Sequence, residues 1–235
     1  MAKRKIVTAS EISQDDTLVD ISQVGSQASE FWAKYGKNIL LVGGALTLLI
    51  AGYLAYKYLY IAPKQKQAVV DMYPAQTMFE RDSFELALNN PGGGNSGFAD
   101  IISKYGATPA GNSAKYYAGI CCLNLGKFDE AVKYLSDYSG EGSVMPIMKF
   151  SALGDAYSEL NQLDKAASAY KDAVGAGDNG AATPMMMKKL AMLNEKQGNK
   201  EAALKLYEGI KDKYPQSVEN SDIDKYIIRV GGGKK

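Results

Sequence analysis

The chain has no histidine among its 235 residues, which removes the commonest general base, the commonest metal ligand and every triad that uses imidazole. What remains for chemistry is sparse. Asp155 and Glu159 stand four residues apart and would share one helical face. Two carboxylates at that spacing could divide acid and base work, but the same spacing describes a solvated face, which is the simpler reading. Gly92-Gly93-Gly94 lacks the Lys-Ser/Thr of a phosphate-cradling loop. Cys121 and Cys122 are neighbours in sequence; their Cα atoms lie about 3.8 Å apart, below the range of a relaxed disulfide, so they read as packed thiols. The sequence predicts no enzyme, no metal site and no cofactor.

Charge points the same way. Acidic and basic residues number 26 and 27, and they balance on both sides of the longest apolar run. A nucleic-acid-binding chain concentrates positive charge on one face or segment. No such excess exists here, and nucleic acid is not an expected partner.

The residues with a clear pattern suit contact rather than catalysis, and that pattern is a repeat. AKYYAGICCLNLGKFDEAVKYL from Ala114 aligns with KFSALGDAYSELNQLDKAASAY from Lys149 and with MKKLAMLNEKQGNKEAALKLY from Met187. The turn residues Gly126, Asn161 and Gly198 lie 35 and 37 residues apart, and Ala131, Ala166 and Ala203 keep the same two intervals. A period near 34 with a helix–turn–helix in each unit is the tetratricopeptide pattern. Gly119, Gly154 and Ala191 are small midway along each first helix, where the second helix would cross closely. Ala131, Ala166 and Ala203 are the reciprocal small contacts. Phe128, Leu163, Leu135, Tyr170 and Tyr207 would fill the seam between helices, Lys200 replaces the expected aromatic after the last turn, and Pro215 ends the third unit.

In a stack of such pairs the first helices line the concave face. Register places there Tyr116, Ile120, Leu123 and Asn124, then Ser151, Asp155, Ser158 and Glu159, then Met185, Lys188, Met192 and Glu195. This is the predicted groove for proteins or peptides. Six of the nine methionines fall between Met145 and Met192, either lining that groove as adaptable apolar contacts or packing between repeats. The groove lacks the Lys/Asn pattern that clamps a terminal carboxylate.

The flanking elements follow from composition. Residues 39–56 (ILLVGGALTLLIAGYLAY) carry no charge, and residues 39–61 as a helix would reach roughly 35 Å, enough to cross a bilayer core of about 30 Å. Phe31, Trp32 and Tyr35 on one side and Tyr53, Tyr56, Tyr58 and Tyr60 on the other form aromatic belts. No small-x-small cleavage site closes the run, so the segment is expected to stay as a transmembrane helix in the lipid bilayer. Gly43, Thr47, Ala51 and Ala55 recur every four residues as a small-residue seam suited to a membrane-embedded partner helix. Lys34 and Lys37 on one side match Lys57, Lys64 and Lys66 on the other, so flanking charge favours neither orientation.

The expected organisation is a polar tail over 1–16, an amphipathic helix over 17–37, a transmembrane helix over 38–62, a repeat domain over 63–230 and a polar end over 231–235. Ser13 and Asp16 resemble a capping box, and Leu18, Ile21, Val24, Ala28, Phe31 and Tyr35 share a helical face. A long helix is expected from Lys64 to Asn89 with Pro63 and Pro74 as kinks or breaks. A loop should cover Asn90 to Gly97, and a helix should run from Phe98 to Tyr105 and end on a left-handed Gly106. A last helix over about 218–230 should cover the end of the stack. The fold class is therefore all-α: a single transmembrane helix, then a tetratricopeptide-repeat α-solenoid of about three repeats, with a divergent first helical pair and a C-terminal capping helix.

The order of parts and the juxtamembrane FWAKYGKN, from Phe31 to Asn38, running straight into the span resemble the YfgM-like ancillary subunits of the SecYEG translocon. The likeness covers residues 31 to about 214. It implies a bacterial inner-membrane protein with its N-terminus cytoplasmic and its repeats periplasmic, handling proteins that leave the translocon in a chaperone-like way. Two functions are consistent with the residues: an adaptor or holdase-like factor that binds through the groove, or a structural subunit assembled through its transmembrane helix and tail.

Overall fold

A computed structural model describes residues 21–231. The Ser13–Asp16 cap, Leu18 and residues 232–235 lie outside that range, as do the side chains of Ile21, Val24 and Ala28. The chain divides into two compact units, Met1–Lys57 and Tyr58–Lys235.

In the first unit α1 (Ile21–Ala55) is a 35-residue helix that passes from the expected amphipathic stretch into the apolar run without a break. Its apolar side chains face outward: Leu41, Leu48 and Leu49 are each more than 70% exposed. An 18-residue window has a mean hydropathy of 2.0, and none of it is buried. A helix apolar all round needs apolar surroundings on every side. Thr47 Oγ1 donates to the Gly43 carbonyl at 2.8 Å, which satisfies its hydroxyl within the helix. Residues Tyr56–Ile61 follow in a π-helical conformation.

The second unit continues α2 (Ala62–Glu80), α3 (Phe84–Asn89), α4 (Phe98–Tyr105), α5 (Pro109–Asn124), α6 (Phe128–Asp137), α7 (Met145–Glu159), α8 (Leu163–Gly175), α9 (Ala182–Lys196), α10 (Lys200–Lys213) and α11 (Ile223–Gly231). Among the described residues there is no strand. The pairs α5/α6, α7/α8 and α9/α10 are the three repeats, each helix packing on its partner and on the next pair.

The repeat turns are built as their residue types dictate. Gly126, Asn161 and Gly198 take φ of +72°, +56° and +82°. The next backbone N–H in each case reaches back five residues: Lys127 to Cys122, Gln162 to Tyr157 and Asn199 to Asn194, all at 2.8 Å. That is a Schellman stop, which needs a residue tolerant of the left-handed region. Within the pairs, a Cβ on Gly119 would lie 2.5 Å from Leu135 Cγ, and one on Gly154 would lie 2.4 Å from Tyr170 Cε1. Ala131, Ala166, Ala191 and Ala203 are fully buried at the matching contacts.

One apolar core runs from Met72 of α2 through Phe98 of α4 to Leu135 and Leu153. Another gathers Met187, Tyr207 and Ile210 with Ile223 and Val230 of α11, so the last helix does cover the end of the stack. Cys121 and Cys122 are buried and unpaired.

Three local expectations change. The helix expected from Lys64 to Asn89 does not break at a proline: Pro63 follows directly on the π-helical turn Tyr56–Ile61, and Pro74 stays inside α2. The break comes at Asp82, with φ +54°. Gly106 is right-handed at φ −56°; glycine is needed there for space, because a Cβ would meet the Ile102 carbonyl at 2.6 Å. The final helix begins as a 3-10 turn, Val218–Asp222, capped by Ser217 Oγ accepting from the Asn220 N–H, and only then becomes α11.

Candidate protein-binding groove

Because α5, α7 and α9 pack side by side, the predicted groove residues fall on adjacent first helices, in three different states. Tyr116, Ile120 and Leu123 are half-buried against the first core, with Tyr116 tilted onto Tyr138 at 5.4 Å between centroids. Asn124 is exposed, and its Nδ2 donates to the Ile120 carbonyl. Ser151 is only 4% exposed and is withdrawn from the face; Ser158 is half-buried and Glu159 exposed.

Three of the four charged members, Asp155, Lys188 and Glu195, are engaged internally. Asp155 accepts from the Tyr170 hydroxyl at 2.7 Å and from Lys189 Nζ, also at 2.7 Å. Glu195 accepts from the Tyr207 hydroxyl at 3.2 Å and pairs with Arg229 Nε at 2.7 Å. Lys188 Nζ donates to Asp222 Oδ1 at 2.7 Å and lies 4.6 Å from the centre of the Tyr226 ring. Each motif joins a first-helix acid or base to the following unit. Burial, and then the Asp155 carboxylate, push the Tyr170 hydroxyl up, and burial with Glu195 raises Tyr207 to about 12. The hydrogen bond from Arg229 holds Glu195 below the usual carboxylate range.

These contacts were missed in the sequence, although a signal was present. Asp71 and Tyr105, Asp155 and Lys189, Lys188 and Asp222, and Glu195 and Arg229 are each separated by 34 residues, one repeat length. Complementary groups one period apart mark bonds between neighbouring units.

The methionines divide between the two expected roles. Met186 and Met187 are buried in the repeat cores, whereas Met192 is 48% exposed. Met185 and Met192 line a pocket with Lys188, facing Val218 and Asp222. Among the described residues no group of three or more Cys, Asp or Glu side chains is placed to hold a metal ion.

A tetratricopeptide-repeat family model matches residues 151–218, the middle and last repeats. No curated protein matches the chain. The chain carries tetratricopeptide repeats on an all-helical frame behind a long apolar helix, and such repeats are protein-interaction modules.

Proposed function

We propose that this chain is a single-span membrane protein whose repeat domain holds other proteins, as an adaptor or holdase-like factor for envelope or translocating polypeptides near the Sec translocon. The observation that carries this reading is the pocket at Met185, Met192 and Val218. There, apolar side chains stay uncovered while Lys188 and Lys189 beside them are paired internally. The unburied α1 supports anchoring in a bilayer, and the FWAKYGKN segment supports an inner-membrane setting with the repeats in the periplasm. Photo-crosslinkers at positions 116 and 192 should capture polypeptides in intact cells, and protease should digest the repeats in spheroplasts. Absence of any captured polypeptide would sink the holding role, and protection of the repeats would reverse the orientation.

A structural-subunit reading is favoured by one feature of α1. The seam of Gly43, Thr47, Ala51 and Ala55 is exposed, and a Cβ on Gly43, Gly44 or Gly52 would meet nothing within 4 Å, leaving room for a close helix partner in lipid. On this reading deletion of the repeats leaves assembly intact, and Leu at positions 43 and 51 abolishes co-purification of the partner.

A further inference from the structure

Two short polar side chains, Asn38 and Thr47, lie along the apolar part of α1, and they differ in what satisfies them. The Thr47 hydroxyl is closed onto its own helix, donating to the Gly43 carbonyl at 2.8 Å. The Asn38 amide carries N–H donors and an oxygen acceptor, is exposed, and has no hydrogen-bond partner among the described residues. It stands about 4.5 Å further along the helix than Tyr35, the last ring of the first aromatic belt, and its single methylene is too short to reach back. Lipid tails offer neither donors nor acceptors. Asn38 lines a hollow of about 510 Å³ on the side of α1, with Ile39, Val42 and Gly43 as its floor. Phe31 and Tyr35, whose ring centres lie 5.1 Å apart, wall it at one end.

Copies of one chain anchored by the same span share orientation and depth in the bilayer. When two of them pair about a twofold axis parallel to the helices, like residues meet like. Such pairing suits a face that carries no charge and whose polar group is its own complement. The face of the hollow meets both conditions. From Phe31 it continues in steps of three and four through Tyr35, Asn38, Val42, Leu46, Leu49 and Tyr53, all uncharged. Lys34 and Lys37 fall roughly 80° and 140° round the helix from Val42, and Lys34 Nζ lies 5.3 Å from the centre of the Tyr35 ring. Two facing amides complement each other, each giving an N–H to the oxygen of the other.

We infer that α1 pairs with α1 of a second copy through this face, parallel and level, with the two Asn38 amides exchanging hydrogen bonds at the entrance to the bilayer. A polar side chain in lipid acts in this way as a register pin between helices. The small-residue seam takes no part: Ala51 is nine residues from Val42, roughly 180° round the helix. The span thus has two working faces, one for its own copy and one left for a different helix. This pairing rests on α1 being a span and adds to it a named occupant.

The test uses the full chain, carrying a donor or an acceptor dye on its N-terminal amine, in phosphatidylcholine vesicles floated on a density gradient. Energy transfer should appear in the floated fraction and disappear when unlabelled chain is added in excess. Asn38→Leu, more apolar and still inserted, should weaken association about three- to thirtyfold, the range for one hydrogen-bonding side chain between helices in lipid. Asn38→Gln keeps the amide and should retain most of the association, and Ala51→Leu should leave it unchanged. Copper-phenanthroline oxidation should crosslink copies carrying Val42→Cys but not copies carrying Ala51→Cys. No energy transfer in vesicles that hold the chain, or Asn38→Leu associating as the parent does, overturns the pairing. Crosslinking through position 51 in place of position 42 overturns it as well, while the span stands. A chain that does not float with the vesicles removes the span and the pairing together.

Discussion

Gly154→Ala tests the close crossing of α7 and α8, and its outcome follows from distances. The new methyl would lie 2.4, 2.5 and 2.9 Å from Cε1, Cδ1 and Cζ of Tyr170, where 3.4–4 Å is ordinary contact. The ring would have to retreat by about 1 Å. It is poorly placed to do so, being 6% exposed and tied through its hydroxyl to Asp155 at 2.7 Å. Overpacking of this kind costs about 1–3 kcal/mol, and the gain from alanine over glycine in a helix interior offsets about 1 kcal/mol of it. The net expectation is a loss of about 0–2 kcal/mol, centred on about 1 kcal/mol or roughly 3 °C in a domain of this size. Thermal melting by far-UV circular dichroism reads it. Gly175→Ala is the control: a Cβ there meets nothing within 4 Å, so this change should be neutral or stabilise by about 0.5 kcal/mol. In a Tyr170→Ala background the obstacle is gone, and Gly154→Ala should no longer destabilise. If Gly154→Ala melts above the parent, or the cycle shows no coupling, the crossing does not limit residue size.

Acid should loosen the last junction. The Arg229 hydrogen bond lowers Glu195 from 4.5, so the stability it contributes is present above that value and is lost as pH falls through the lower folded value. The melting temperature should fall below about pH 4.5, less steeply in Glu195→Gln; identical acid profiles would exclude the pair. Burial raises the Cys121 and Cys122 thiols to about 12 and about 11, so both should resist a thiol reagent at neutral pH and react on unfolding. Rapid labelling of the folded protein would refute their packing. The full chain should resist alkaline carbonate extraction from membranes, and Leu48→Arg, costing about 3 kcal/mol at a span centre, should increase its release; complete extraction of the parent would contradict a transmembrane α1.

The repeat frame was legible because its constraints are local and recur. Gly126, Asn161 and Gly198 had to accept positive φ, and Gly154 and Ala166 had to be small wherever helices cross. Positions fixed by a single irregular contact were not legible. Pro74 stays within α2, and the break moved to Asp82, because a proline in a helix depends on what packs around it. Gly106 proved to answer to the Ile102 carbonyl rather than to a left-handed cap. On the groove, register placed Met185, Lys188 and Met192 side by side. Helix register by itself does not pair Asp155, Lys188 and Glu195, whose partners are marked only by the 34-residue spacing, nor does it place Val218 and Glu219, outside the repeat period, on the opposite wall.

The bonds that span 34 residues have a further consequence for assembly. The contacts within the pairs repeat, Gly119 against Leu135 and Gly154 against Tyr170, so pairs built alike present similar apolar surfaces, which do little to tell one neighbour from another. The polar pairs can. Lys189 finds a carboxylate at Asp155, whereas the equivalent place in the preceding unit is held by Ile120 and in the following unit by Met192. A unit docked one step out of register, within the chain or against another copy, would strand a cation beside an aliphatic side chain. The pairs thus act as proofreading marks, penalising misordered stacking while the greasy seams supply most of the adhesion.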